Sequence, residues 1–237
     1  MADLSELKFF QTAEHDCGYI EDRLSRNIFV DPEAQLDSGH LDFLASVGFR
    51  RSGTHLYRPH CIGCNACVPA RLLIEDFHPS RSQKRIIKTN KDLSFETLDD
   101  LNSDEFYDLF ERYIAIRHSD GEMYPATREG FNSFLCESLG STKFLVTRDL
   151  NNKLLSVAVC DLFSEALSAI YTFFDPSEEK RSLGVYNVLM QIQWARQLDM
   201  KHLYLGYWIK DCQKMSYKTN YKPYQLFIDN QWRTYTE

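Results

Sequence analysis

The run ALSAIYTFFDPSEEKRSLGVYNVLMQIQWARQLDMKHLYLGY, residues 166–207, decides the fold class. Its first nine residues include Ile170, Tyr171, Thr172, Phe173 and Phe174 and stop at Asp175-Pro176, so Ala166 to Phe174 reads as a strand closed by a turn. A polar loop follows and ends in Arg181-Ser182-Leu183-Gly184. Apolar residues then recur at helical spacing from Val185 to Leu198, and His202 to Tyr207 is strand-like again. Two more strands stand immediately upstream, Lys143 to Arg148 and Leu154 to Leu162. Turn signals at Asn151-Asn152 and Ser164-Glu165 separate the three, which predicts an antiparallel meander.

Further upstream, Phe106, Leu109, Phe110, Tyr113, Ile114 and Arg117 fall at the spacing of an amphipathic helix, and a second helix is predicted from Thr127 to Leu139. The N-terminal part has another rhythm. Ile28 to Val30, a hairpin from Phe49 to Tyr57 around Ser52-Gly53, and Arg71 to Phe77 read as short strands, interrupted by one helix from Asp37 to Val47 with Gly48 as its stop. Two compact lobes are expected, residues 1–95 and 96–237. The strand, loop, helix and strand of residues 166–207 resemble the core of the GCN5-related acetyltransferase (GNAT) fold. The resulting fold class is α+β, with a GNAT-like C-terminal domain and a smaller, cysteine-containing N-terminal α+β domain. In the GNAT fold the loop pattern Arg/Gln-x-x-Gly presents backbone N–H groups and a helix N-terminus to the pyrophosphate of coenzyme A.

With 237 residues, 43% of them hydrophobic, the chain can bury a core without covalent staples. The opening residues Met1 to Leu7 carry no basic and apolar export pattern, and the longest apolar run, Leu154 to Cys160, is too short to span a bilayer. A cytoplasmic, soluble protein with no membrane partner is expected. The net charge of −7 argues against a protein coated in positive charge, and no DNA partner is expected. Any nucleic-acid contact must come from local basic patches. Two are present. Arg81, Lys84, Arg85, Lys88 and Lys91 would share one side of a helix through Ser80 to Lys91, with Ile86 and Ile87 anchoring the other, and suit a phosphate backbone or, in the alternative reading, form a solvated helix face. Lys210, Lys214, Lys218 and Lys222 recur at every fourth position among Tyr217, Tyr221 and Tyr224, a mixture that can stack on unpaired bases or simply close the core.

Seven cysteines in a chain of this kind point to metal binding or packing rather than disulfides. Cys61, Cys64 and Cys67 form two successive Cys-x-x-Cys steps. Cys17, followed by Gly18, is the leading fourth ligand for a structural zinc ion or iron–sulfur cluster, with His15, His55 and His60 as alternatives. The competing reading is a reduced cluster, partly packed and partly reactive. Cys136, Cys160 and Cys212 read as core thiols.

Taken in order, Cys17-Gly18-Tyr19, Phe49-Arg50-Arg51-Ser52-Gly53, Tyr57-Arg58-Pro59-His60-Cys61, Ser80-Arg81-Ser82-Gln83-Lys84-Arg85, Tyr171-Thr172-Phe173-Phe174, Ser182-Leu183-Gly184, Tyr204-Leu205-Gly206-Tyr207 and Met215-Ser216-Tyr217-Lys218 resemble the bacterial leucyl-tRNA-protein transferases. That group is the bacterial branch of the arginyl-tRNA-protein transferases. The resemblance implies transfer of leucine from leucyl-tRNA to proteins with an N-terminal Asp or Glu, marking them for degradation in the N-degron pathway. Ile20 stands where eukaryotic members carry the last cysteine of Cys-Gly-Tyr-Cys, and the thiols at 61–67 would compensate.

An aminoacyl ester is already activated, and an α-amine has an ordinary pKa of ~7.7–8.0, so neither a strong base nor a cofactor is required. Alignment, oxyanion stabilisation and one proton acceptor suffice. Asp161, Tyr171 and Asp175 are the candidate catalytic residues, with Asp161 first; the alternative places both aspartates as turn or cap residues. Arg181, Gly184, Arg81, Lys84, Arg85, Lys88, Lys214 and Lys218 are candidates for holding the tRNA and its aminoacyl end. Arg58, Arg71 and Arg117 are candidates for reading an acidic N-terminal side chain, with Arg117 alternatively a cation capping the C-terminus of its helix. Two other functions fit parts of the pattern: a coenzyme A-dependent protein N-acetyltransferase, and a non-catalytic, metal-stabilised RNA-binding or redox-sensing protein.

Overall fold

The computed structural model describes residues 7–236, so Met1 to Glu6 of the opening segment lie outside the described residues. The chain starts with β1 (Phe9–Gln11), the short pair β2 (His15–Asp16) and β3 (Leu24–Ser25), then β4 (Asn27–Val30), α1 (Ser38–Ser46), β5 (Arg50–Ser52) and β6 (His55–Pro59). Strands β1, β4, β6 and β5 form one antiparallel sheet in that spatial order. The helix predicted from Asp37 begins there because the Asp37 side chain accepts from the His40 backbone N–H at 2.9 Å. Leu41 and Leu44 on its inner face pack with Val30, Phe49 and Leu56. The β5–β6 turn needs Gly53: its φ is +57°, and a Cβ there would stand 2.8 Å from the Ser133 carbonyl oxygen.

The larger layer begins with β7 (Val68–Leu73), α2 (Arg81–Thr89), β8 (Ser94–Leu98), α3 (Asp104–Arg117) and α4 (Arg128–Phe131). It continues through β9 (Thr142–Arg148), β10 (Leu154–Leu162), β11 (Ala166–Phe174), α5 (Leu183–Gln197), β12 (His202–Trp208), α6 (Gln213–Ser216), β13 (Tyr224–Ile228) and β14 (Gln231–Tyr235). Eight strands pair in the order β14-β13-β7-β12-β11-β10-β9-β8. The apolar run in β10 is a doubly covered strand. Leu155, Ala158 and Cys160 face α5, whereas Leu154, Val157 and Val159 face α3, so neither side can be polar. Each large side chain buried in this way contributes roughly 1.5–3 kcal/mol of transfer free energy.

The predicted meander of β9, β10 and β11 is present, and α5 returns the chain so that β12 lies parallel to β11. This is the GNAT-like arrangement that residues 166–207 predict. Pairing of β11 with β12 covers only Ala166–Ser168 against His202–Tyr204. Beyond it the two strands part. Each is bulged where they separate: Val159 opposes Tyr171 and Cys160 opposes Ala169, leaving Ile170 extra, while Tyr204 opposes Arg71 and Gly206 opposes Ala70, leaving Leu205 extra.

The large sheet draws strands from both sides of residue 95: β7 lies between β12 and β13, and β8 pairs with β9, because sheet membership follows long-range pairing that local pattern does not encode. Two sequence expectations are corrected. The strand predicted over Arg71 to Phe77 starts earlier, at Val68, and ends at Leu73. The helix predicted over Thr127 to Leu139 is one α-turn followed by a π-helical turn, Asn132–Cys136.

Candidate active site

Where β11 and β12 part, they open a cleft of about 1520 Å³. Ile170, Tyr171 and Phe174 of β11 form one wall, and Leu205, Gly206 and Tyr207 of β12 the other. The first turns of α5 floor it through Gly184, Val185 and Val188. Arg50 and Tyr57 of the N-terminal sheet close one side, and Lys218 and Tyr221 of the segment after α6 close another. The N-terminal end of α2 reaches the rim through Ser82 and Gln83. That helix starts at a reciprocal cap: the Ser80 hydroxyl accepts from the Gln83 N–H at 3.3 Å, and Gln83 Oε1 accepts from the Ser80 N–H at 2.8 Å.

Arg50 is the most unusual group in this cleft. Its side chain is buried, its Nη1 donates to the Ala45 and Phe49 carbonyl oxygens at 3.0 and 2.6 Å, and its guanidinium lies over the Tyr204 ring at 4.8 Å. Its Nε and Nη2 are buried and have no hydrogen-bond partner among the described residues. Burial pulls its pKa below the ordinary arginine value, yet an arginine remains charged in proteins. Two further unpartnered polar atoms belong to the cleft lining, the Tyr171 hydroxyl and Gln191 Oε1. Burial, with Tyr113 adding to it, raises the Tyr171 pKa, so this phenol stays protonated.

The neighbouring arginine does something else. Arg51 Nε and Nη2 donate to the two Asp161 oxygens at 2.7 and 3.1 Å, and Thr142 Oγ1 donates to Asp161 Oδ1 at 2.6 Å. Arg51 Nη1 reaches the carbonyls of Gly53 and Glu137 at 2.7 and 3.0 Å. Asp161 is thus the buried anchor of an arginine and does not line the cleft, which removes the geometric basis for ranking it first as proton acceptor. Asp175 does not line it either. Its Oδ1 accepts from Ser177 N and Oγ at 3.0 and 2.6 Å, and Lys153 Nζ stands 2.9 Å from Oδ2, a turn-capping arrangement.

Among the expected tRNA-contacting residues, Gly184, Lys214 and Lys218 line the cleft, while Arg81, Lys84, Arg85 and Lys88 are exposed along α2. Arg181 turns away. Its fork grips Asp92 at 3.0 and 2.9 Å and Glu178 at 3.1 Å, fixing the end of α2 to the start of α5, so its guanidinium is not free for a pyrophosphate. The three arginines expected to read an acidic side chain are also engaged elsewhere. Arg58 donates to the Val47 carbonyl at 2.9 Å, Arg71 donates to Gln225 at 2.7 Å and stacks on Trp232 at 4.2 Å, and Arg117 lies 3.9 Å from Glu179. Sequence reasoning missed Arg50 because its neighbour Arg51 looks identical in the string. The available signal was strand alternation, which sends the two side chains to opposite faces of β5.

The cysteines at 17, 61, 64 and 67 do gather. Burial, with Cys61, Cys17, Cys64 and Cys212 adding to it, pushes the Cys67 thiol up to about 12. Among the described residues, no three His, Cys, Asp or Glu side chains converge closely enough to hold a metal ion. Cys61 Sγ instead accepts from the Arg26 N–H at 3.4 Å.

The family model described as arginine-tRNA-protein transferase, C terminus, matches residues 105–228, and its N-terminus counterpart matches residues 15–85. The chain belongs to the arginine-tRNA-protein transferase family. A relative of this transferase from Saccharophagus degradans, named aspartate/glutamate leucyltransferase, is 52% identical over 99% of this chain and 100% of its own. Relatives of the same name from Teredinibacter turnerae and Pseudomonas fluorescens are 48% identical over 98% of this chain, covering 96% and 98% of theirs. Among solved structures, the C-terminal domain of a putative lysylphosphatidylglycerol synthetase from Agrobacterium fabrum superposes with a TM-score of 0.48 at 13% identity, over 78% of this chain and 62% of that one. FemX superposes with a TM-score of 0.46 at 9% identity, over 90% and 82%. No described helix of the transferase is long and apolar enough to cross a membrane.

Proposed function

We propose that this transferase moves leucine from leucyl-tRNA to the α-amine of proteins that begin with Asp or Glu, an activity that belongs in the cytoplasm and feeds protein degradation. The observation that carries the reading is Arg50, a buried guanidinium with Nε and Nη2 left unpartnered on the wall of the large cleft. Such a group calls for a planar anion, and a carboxylate accepting from Nε and Nη2 would satisfy both donors at once. The curated relatives, named for aspartate and glutamate, agree with that chemistry. The exposed basic face of α2 leads to the same cleft and would guide the tRNA acceptor end toward it.

The work of the site is positional. The ester is activated before it arrives, so the transfer needs no cofactor; the cleft brings amine and ester within attacking distance, and the Tyr171 hydroxyl is a donor available to a developing oxyanion. The direct test offers the transferase charged tRNAs and peptides beginning with Asp, Glu or Ala, and follows labelled amino acid. Leucine on the Asp and Glu peptides alone is the expected result; transfer to Ala peptides, or none from leucyl-tRNA, overturns it. Arg50→Lys keeps the charge but loses the two-pronged donor, and kcat/KM for Asp peptides falls by about tenfold or more, chiefly through KM.

A further inference from the structure

Lys218 sits in an environment that ordinary tRNA-binding lysines do not share. It is held by the 3-10 turn Tyr217–Asn220, is 4% exposed, and lines the cleft. Its Nζ has one hydrogen-bond partner among the described residues, the Met215 thioether sulfur at 3.3 Å, and lies over the Tyr217 ring at 4.7 Å. No carboxylate pairs with it among the described residues. Directly beside it stands Gly206, in the left-handed region at φ +80°, where an added Cβ would come to 3.9 Å from Lys218 Cε. A thioether and a ring face stabilise an ammonium far less than a carboxylate or water does. The amine is thus presented at the point where the two central strands part, with only the Tyr217 ring face and the Met215 sulfur to offset the loss of water around its charged form.

We propose that Lys218 is the proton acceptor of the transfer reaction, taking a proton from the α-ammonium of the acceptor protein so that the amine can attack. The inference rests on the leucyl-transfer reading given above. Two features of the residue support it. Burial lowers the Lys218 pKa to about 8, with Cys212 opposing the shift, which places the lysine close to the ordinary range of an α-amine. A proton can pass between two amines of matched pKa with little loss of driving force in either direction. Neither aspartate expected to take the proton, Asp161 or Asp175, lines the cleft.

The step balances. Neutral Lys218 accepts H+ from the acceptor's α-NH3+, leaving a neutral α-amine and a lysine ammonium. The amine's lone pair forms the N–C bond to the ester carbonyl, whose π electrons move to oxygen. Collapse reforms the carbonyl and breaks the C–O bond to the terminal ribose. The ribose oxygen leaves with the electron pair and takes the second proton from the new nitrogen, giving amide and free hydroxyl. Lys218 then returns its proton to solvent.

The test is single-turnover transfer of leucine from leucyl-tRNA to an Asp peptide, from about pH 6 to about pH 9, by the wild-type chain, Lys218→Arg and Lys218→Met. Binding of leucyl-tRNA is measured in parallel by filter retention, which also reports that each variant is folded. Lys218→Arg keeps a cation for phosphate or base but cannot act as a base at these pH values. Its rate at saturating substrate is expected to fall about 100-fold with tRNA affinity changed little, and its pH profile to follow the free peptide amine alone. Lys218→Met should lose the rate to the same extent. Retention of the wild-type rate and pH profile by Lys218→Arg overturns the proposal and leaves the residue as a phosphate or base contact. If both variants fail to bind leucyl-tRNA, Lys218 is a structural or tRNA-binding residue and the proposal also falls. Absence of leucine transfer by the wild-type chain is a separate outcome, which removes the leucyl-transfer reading itself.

Discussion

Arg50 and Lys218 are two cations buried at the edge of one cleft, neither satisfied in the way buried charges usually are. Leaving them so costs stability, and for Lys218 the cost has a defined pH window. The folded chain holds the Lys218 proton with a pKa of about 8, against an ordinary value of 10.5. Between those values the unfolded chain binds more protons than the folded one, so this residue's contribution to stability rises with pH. Below pH 8 the penalty is present in full. Lys218→Met, which keeps the chain length and removes the charge, therefore raises Tm most below pH 8, and the gain shrinks as pH approaches 10.5. Thermal melts of both chains across this range check it; a gain that does not vary with pH would place its source in packing instead of charge.

At the scale of elements, α2 joins surface and site. Its basic residues Arg81, Lys84, Arg85 and Lys88 are exposed, as the spacing predicts, whereas the opposite side is held by Gln83, which donates to the Asn220 carbonyl at 3.2 Å. Of the two isoleucines expected to anchor the helix, Ile86 packs against the core and Ile87 is exposed. The other end of the helix is fixed by Asn90, whose side chain donates to the Arg181 carbonyl at 2.8 Å, and by the Arg181–Asp92 pair. A rigid helix with cations outward and its first turn on the cleft rim is suited to guiding a phosphate backbone inward. Lys84→Ala combined with Arg85→Ala should weaken tRNA binding and lower the slope of log K against log salt by about two, without altering stability. An unchanged slope in a salt titration would remove α2 from the tRNA path.

For the whole molecule, the Arg51–Asp161 pair is a buried charged link between the N-terminal sheet and the larger one, beside hydrogen bonds from the Tyr207 hydroxyl to the Gly48 carbonyl and from Trp232 Nε1 to the Ser46 carbonyl. It connects β5 to β10 across the interface, with both side chains almost completely buried and Thr142, Gly53 and Glu137 completing the hydrogen bonds. Removing one partner strands the other charge, so Asp161→Asn should cost about 3–5 kcal/mol of unfolding free energy by chemical denaturation. The chain that remains folded at low temperature should still transfer leucine at close to the normal rate. Lost transfer at unchanged stability would instead give Asp161 a direct part in the chemistry.

Periodicity in the sequence was sufficient to place the meander β9 to β11, α3, α5 and β12, because each carries enough apolar residues at a fixed spacing to declare its type. The basic stripe of α2 was legible for the same reason: it depends on residues three or four apart. Tertiary structure alone decided that β7 enters the centre of the large sheet, since strand pairing between residues 68–73 and 202–208 leaves no local mark. It also decided which charged side chains are free. Arg50 and Arg51 are adjacent and chemically identical, yet Arg51 finds a carboxylate from a distant strand, whereas Arg50 is buried with Nε and Nη2 unpartnered. Arg58, Arg71, Arg117 and Arg181 looked equally available until folding supplied each with a partner. A residue's type and spacing are local properties of the chain, whereas its burial and the groups opposite it are set by segments far away in sequence.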